Sequence, residues 1–133
     1  MKVLLDTSVF MSVFSGDSHA EKAKHLLKRC VTAHEAFISP MVLHELMWVF
    51  QKIGYHPEKA RERLAFLFSL PIGLLKDSTG IFYVCTDLMS KYRLKYGDAY
   101  IAASALQNKI GHIISFDEDF DCVKGLKRLE DLD

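Results

Sequence analysis

Four short apolar runs punctuate this chain, at 2–5, 36–39, 72–75 and 112–115, with a weaker fifth candidate at 126–129. Stretches of helical periodicity lie between them. None of the runs alternates apolar with polar residues, so each reads as a strand buried on both faces. Strands of that kind, separated by helices, predict an α/β fold with a mainly parallel sheet covered on both sides. The helix signals agree. Residues 7–15 are apolar enough for a short helix. Ser18 and Glu21 have the spacing of a capping box, and Ala23, Leu26, Leu27, Cys30 and Val31 follow at helical intervals. Ser39-Pro40 reads as a cap followed by proline at the first helical position, in a helix reaching Lys52 and stopped by Gly54. Pro57 opens another, ended before Pro71. Residues 78–95 and 98–109 predict two more, the second rich in alanine at 99, 102, 103 and 105, which permits close packing.

With 133 residues, half of them hydrophobic, the chain reads as one domain spanning 1–133, able to bury a core without disulfide or metal staples. The 17 Lys plus Arg balance the 17 Asp plus Glu, so no basic arm or whole-domain grip on nucleic acid shows in the totals. Cys30, Cys85 and Cys122 form no CxxC pair, which fits reduced, mostly buried thiols. The N-terminal apolar run meets Asp6 too early for a signal-peptide core, and no run is long enough to span a bilayer. The expectation is a soluble cytoplasmic protein.

Ligands of open parallel sheets bind beyond the carboxyl ends of the strands. The residues there are Asp6, Ser39-Pro40, Lys76-Asp77 and Phe116-Asp117. Asp6, set between Val3-Leu4-Leu5 and Val9-Phe10-Met11, must be partly buried, which is costly for a carboxylate lacking a cation or several hydrogen bonds. Capping the helix after it is the ordinary alternative. Asp117 has the same placement after the fourth run, and a turn or cap is again its plainer role. Asp98 reads on its own as the cap of the alanine-rich helix. Glu45 borders the polar stripe of His44, Trp48, Gln51 and Lys52, where a solvated glutamate is the bland reading. Together the four say more. Carboxylates converging on one rim repel unless a cation sits among them, and all-oxygen ligation selects Mg2+ or Mn2+.

The segments Leu5-Asp6-Thr7-Ser8-Val9, Ser39-Pro40 through Glu45-Leu46, Gly97-Asp98 through Ala105-Leu106 and Ile114-Ser115-Phe116-Asp117-Glu118-Asp119-Phe120, in that order, resemble the PIN-domain family, and within it the small VapC-type toxins. The resemblance covers residues 2 to about 129. It implies a three-layer α/β/α fold and a ribonuclease dependent on Mg2+ or Mn2+. It implies Asp6, Glu45, Asp98 and Asp117 as catalytic and metal-binding acids, Ser8 and Ser115 beside them, and Asp119 as a secondary ligand. In that reading Asp6, Asp98 and Asp117 hold the cations, and Glu45 binds a second one or orients the attacking water. The resemblance also implies a homodimer and a cognate antitoxin, with the helices at 40–52 and 57–70 as candidate contact surfaces. Trp48, Phe66 and Phe68 would be aromatic anchors, although core packing is their more ordinary role.

Lys91, Tyr92, Arg93 and Lys95 interleave bases with aromatics just before Asp98 and are candidates for binding RNA; a basic last helical turn is the alternative. Lys124, Lys127 and Arg128 read as a solvated face. The histidines form no HExxH pair, and no Walker loop or GxGxxG occurs. A haloacid-dehalogenase-type phosphatase needs a second Asp where Ser8 stands, and a receiver domain needs an acidic pair near the first strand and a lysine after the last. Two further alternatives stay open: a PIN-type nuclease of RNA processing or turnover, and a catalytically silent protein-binding module of the same fold.

Overall fold

The computed structural model describes residues 1–132. Its elements run β1 (Lys2–Leu5), α1 (Thr7–Ser15), α2 (Ala20–Ala33), β2 (Glu35–Ile38), α3 (Pro40–Lys52), α4 (Pro57–Ser69), β3 (Ile72–Leu74), α5 (Ile81–Tyr92), α6 (Tyr96–Gln107), β4 (His112–Ile114), a short 3-10 helix (Glu118–Cys122) and β5 (Lys127–Leu129). The five strands form one sheet in the order β3-β2-β1-β4-β5, and every neighbouring pair is parallel. Right-handed crossovers put the helices that build outward from β1 to β3 on one face. The return across the sheet puts α5 and α6 on the other. The three-layer α/β/α architecture is therefore realised. β1 is central, and Val3, Leu4 and Leu5 are all fully buried, as their unbroken apolar run requires.

The strand order reverses between β1 and β4, which makes that junction the topological switch point. Leu4 and Leu5 pair there with Ile113 and Ile114, and the ladder closes with Asp6 N–H donating to Ile114 O at 3.0 Å. Whatever follows β1 and β4 faces a common crevice.

Several local readings need correction. Residues 18–21 form no capping box: His19 holds the cap position of α2 with no side-chain bond, and Asp17 accepts the His19 N–H at 2.9 Å and the Ser12 hydroxyl at 3.2 Å. The predicted helix over 78–95 runs only from Ile81 to Tyr92, ended by Arg93 in the left-handed region at φ 55°. α6 starts at Tyr96, so Asp98 is its third residue and not its cap. Trp48 and Phe68 are not core residues; both are more than half exposed, while Phe66 turns an edge to Phe14. Among the described residues no helix is long and apolar enough to cross a membrane.

Candidate active site

Asp6 ends β1 and caps α1. Its Oδ2 accepts from Ser115 Oγ at 2.7 Å, Ser8 Oγ at 2.8 Å and Ser8 N at 3.4 Å, and the residue is only 4% exposed. Capping and burial are thus present at once: the cap bond and both hydroxyl bonds fall on Oδ2, and the Thr7 backbone N–H also bears on the carboxylate. Burial raises its pKa, and the bonds from Ser115 and Ser8 oppose that rise. The two serines are themselves supported. Ser8 Oγ accepts from Phe116 N at 3.1 Å, and Ser115 Oγ accepts from Asp117 N at 2.9 Å. The hydroxyls therefore stitch the end of β1 to the segment after β4.

Glu45 lies in the second turn of α3, half-buried and not solvated. Thr7 Oγ1 donates to its Oε1 at 2.7 Å, and Gly97 leaves room for its Oε2. Burial raises its pKa against the Thr7 bond, with further upward pressure from the charges of Asp6 and Asp117.

Asp98 sits in the first turn of α6, where the helix dipole favours a negative charge. Its pKa nevertheless rises from an ordinary 3.8 to about 7, because of burial first and then the charges of Asp117, Asp6, Glu45 and Asp119. Asp117 caps the 3-10 helix, its Oδ1 accepting from Asp119 N at 2.9 Å. That cap folds Asp119 back onto the same rim. The result is a group of three carboxylates, Asp98, Asp117 and Asp119, whose nearest oxygens lie within 4.8 Å of one another. Asp6 and Glu45 stand beside this trio, near enough to act on Asp98 through their charge, but not within that mutual distance.

Among the described residues, the ion pairs of Lys22 with Asp131, Lys24 with Glu21, and Arg128 with Asp121 and Glu130 leave all five carboxylates without a cationic partner. An all-oxygen donor set with unbalanced negative charge, in which Asp6, Glu45 and Asp98 have raised pKa values, fits a hard divalent cation.

The segment after α5 is neither helix nor simple basic turn. Tyr92, Arg93 and Lys95, with Leu94, form one wall of a cleft of about 370 Å³, and Glu118, Asp119, Asp121 and Cys122 form the other. Asp119 is common to the cleft and the acidic trio. Tyr92 is partly committed, its hydroxyl accepting from Lys124 N at 3.1 Å. Lys91 is exposed and lies over the Tyr92 ring at 5.3 Å, outside the cleft lining.

Sequence reasoning overlooked three contributors. Thr7 stood between two noted residues, but its bond to Glu45 depends on how α1 and α3 meet. Gly97 adjoined Asp98, yet nothing local marks the side chain that fills the space where its Cβ would be. Arg128 does not belong to a solvated face: its side chain is 11% exposed and donates to Ser115 O at 3.1 Å and Asp121 Oδ1 at 2.8 Å, bracing the 3-10 helix against the end of β4.

The family model for the PIN domain matches residues 3–126. A search of curated proteins finds no match. Among solved structures, the chain is similar to VapBC2 from Rickettsia felis bound to a promoter DNA fragment, with 17% identity, TM-score 0.78, and coverage of 97% of this chain and 98% of the other. It is similar to a toxin–antitoxin complex from Klebsiella pneumoniae, with 28% identity, TM-score 0.70, and coverage of 93% and 94%. It is also similar to VapC20 of Mycobacterium tuberculosis, a toxin that cleaves the sarcin–ricin loop, with 20% identity, TM-score 0.76, and coverage of 90% and 92%. A parallel sheet that turns at β1 and β4, an acidic rim built on that turn and a match running almost end to end leave one assignment: this chain belongs to the PIN domain family.

Proposed function

We propose that the protein is a ribonuclease dependent on Mg2+ or Mn2+, hydrolysing RNA phosphodiesters as the toxin of a VapBC-type toxin–antitoxin pair. One observation carries the reading. Asp98, Asp117 and Asp119 converge within 4.8 Å with no cationic side chain to balance them, on the rim that also holds Asp6 and Glu45. Asp98, Asp117 and Asp119 would hold the ion, with Asp6 beside them and Glu45 offering the oxygen not bonded to Thr7. A bound divalent ion supplies a Lewis acid that makes water a better nucleophile and stabilises charge building on the phosphate. The chain's own side chains do the rest. Ser8 and Ser115 orient Asp6 and oppose the effect of its burial, Thr7 holds Glu45, and the backbone cap from Asp119 fixes Asp117. No side-chain nucleophile is required. Arg93 and Lys95, on the cleft wall facing Asp119, would meet RNA phosphates, with Tyr92 and Lys91 beside them.

The toxin reading draws on the VapBC-type complexes and VapC20 as the proteins this chain resembles. It brings with it a cytoplasmic setting, a homodimer and an antitoxin partner. The exposed Trp48 and Phe68 on the surfaces of α3 and α4 are available for such contacts.

The test is expression of the wild type and Asp6→Asn. Growth arrest and Mn2+-dependent RNA cleavage by the wild type, both absent in a folded Asp6→Asn, are the expected result. Full cleavage by Asp6→Asn overturns the assignment.

A further inference from the structure

A second polar cluster lies behind the acidic rim, built on a residue that the site has not used. Asp77 follows β3, at the same end of the sheet as Asp6 and Asp117. The Tyr100 hydroxyl donates to Asp77 Oδ2, and Ser104 Oγ lies 3.2 Å from Oδ1. Ser104 Oγ also bonds the Ser39 hydroxyl at 3.1 Å, and Ser39 caps α3 by accepting from Met41 N at 3.2 Å. Tyr100 and Ser104 are four residues apart on α6, hence on one face. Ser39 and Ser104 are fully buried, Tyr100 is 8% exposed, and Asp77 is half-buried. One carboxylate thus joins the end of β3, the middle of α6 and the start of α3.

The joint falls where the apolar packing is least directional. α6 buries Ala99, Ile101, Ala102, Ala103 and Ala105 completely. A surface of alanines allows close approach but offers few protruding side chains to lock one helix against sliding along another, and apolar attraction has no preferred direction. Hydrogen bonds do have one. Tyr100 is two residues beyond Asp98, so an axial slip of α6 would carry Asp98 away from Asp117 and Asp119. Glu45, one turn into α3, meets α6 again at Gly97. The two helices therefore meet at two points, one hydrogen-bonded and deep, the other a close contact at the rim.

We propose that Asp77 is a positioning residue that sets the axial register of α6 against α3, and so the spacing of Asp98 and Glu45 from the carboxylates after β4. The proposal rests on the reading of those carboxylates as a cation site. It assigns Asp77 no contact with cation or RNA.

Asp77→Ala, Asp77→Asn, Tyr100→Phe and Ser104→Ala are compared with the wild type by Mn2+ titration without RNA, by kcat and KM on an RNA substrate, by thermal unfolding, and by amide exchange across residues 96–100 in metal-free protein. Supporting residues behind a metal site typically contribute ten- to a hundredfold to affinity or activity, so Asp77→Ala should weaken Mn2+ binding about tenfold and lower kcat similarly, with KM near that of the wild type. Amide exchange in the first turn of α6 should quicken. Asp77→Asn keeps an oxygen to accept from Tyr100 and should recover most of the Mn2+ affinity. An Asp77→Ala protein that melts earlier, yet binds Mn2+ and turns over as the wild type does, overturns the proposal. If Asp77→Ala does not fold, Tyr100→Phe and Ser104→Ala decide, and unchanged Mn2+ affinity in both overturns it. Wild-type protein that binds no Mn2+ and cuts no RNA overturns the functional reading itself, which is a different outcome from a competent wild type with indifferent variants.

Discussion

Gly97 and Glu45 share one small space: a Cβ built on Gly97 would stand 2.7 Å from Glu45 Oε2 and 3.4 Å from its carboxyl carbon. The clash falls on the far end of a flexible side chain, so the fold survives while the carboxylate moves. Gly97 lies in the first turn of α6, where exchanging Gly for Ala favours the helix by up to about 1 kcal/mol. Gly97→Ala should therefore leave the melting temperature unchanged or higher and, under the proposed function, reduce RNA cleavage by up to about a hundredfold through misplacement of Glu45. Calorimetry and a cleavage assay on the same preparation check both halves. Full activity would show that Glu45 does not need its present place.

The acidic rim predicts an unusual pH dependence. A carboxyl whose folded pKa is raised binds more protons when folded than when unfolded, so its stabilising effect is present at low pH and is lost as pH climbs to the folded value. Asp98, moved from 3.8 to about 7, places that loss between about pH 4 and pH 7, and Asp6 and Glu45 shift the same way. Metal-free protein should melt at progressively lower temperature across this window. Saturating Mn2+ should flatten the slope, since a ligand that binds only the folded state stabilises it. Thermal scans with and without chelator from pH 4 to 8 measure this, and a metal-free protein that stabilises with rising pH would contradict it.

From the same repulsion, Asp98→Asn should be more thermostable than the wild type at pH 8 without metal. Removing about 1 kcal/mol of strain in a domain of this size would raise the melting temperature by roughly 2–5 °C. The substitution should abolish cleavage. A variant less stable than the wild type under these conditions would mean that some unrecognised partner already neutralises Asp98.

Ser115 performs two tasks with one oxygen, donating to Asp6 at 2.7 Å and accepting from Asp117 N at 2.9 Å, and it is fully buried. Ser115→Ala strands the Asp117 N–H and removes the shortest of the bonds to Asp6, at a cost of about 1–3 kcal/mol. Urea unfolding should show a lower midpoint with an unchanged slope, while Ser8→Ala, at a partly exposed position, should show a smaller loss.

Thiol reactivity offers a check on the core. Cys30 and Cys85 are buried and Cys122 is exposed, and burial pushes the Cys30 thiol up to about 12. A thiol reagent should modify Cys122 quickly in native protein and reach the other two only on unfolding. Fast labelling of Cys30 would mean that α2 opens on its own.

Much of the architecture was legible because its signals are local. Ser39-Pro40 and Pro57 mark helix starts through fixed φ and a side-chain cap, and unbroken apolar runs mark strands buried on both faces. Local signals also misled: α2 starts one residue later than the Ser18 box predicts, with His19 at the cap. The break at Arg93 was hidden because an arginine carries no mark of the left-handed backbone it adopts. Asp6 and Asp117 could be named from their position after strands, but the exact grouping of the rim carboxylates could not. That Asp119 joins Asp98 and Asp117 follows from a cap at Asp117, and that Glu45 leaves solvent follows from Thr7 and Gly97 on other elements. The bracing by Arg128 likewise exists only once β5 lies beside β4.

The bond from Ser115 to Asp6 closes a loop of 109 residues. Synthesis delivers the N-terminal part first, so the partner that Asp6 needs emerges long after Asp6 itself. Until β4 slots in beside β1, Asp6 has no Ser115, and Asp98 has neither Asp117 nor Asp119. Under the proposed function, the site is therefore incomplete until β4 pairs with β1, and any partial unfolding that frees β4 takes it apart again.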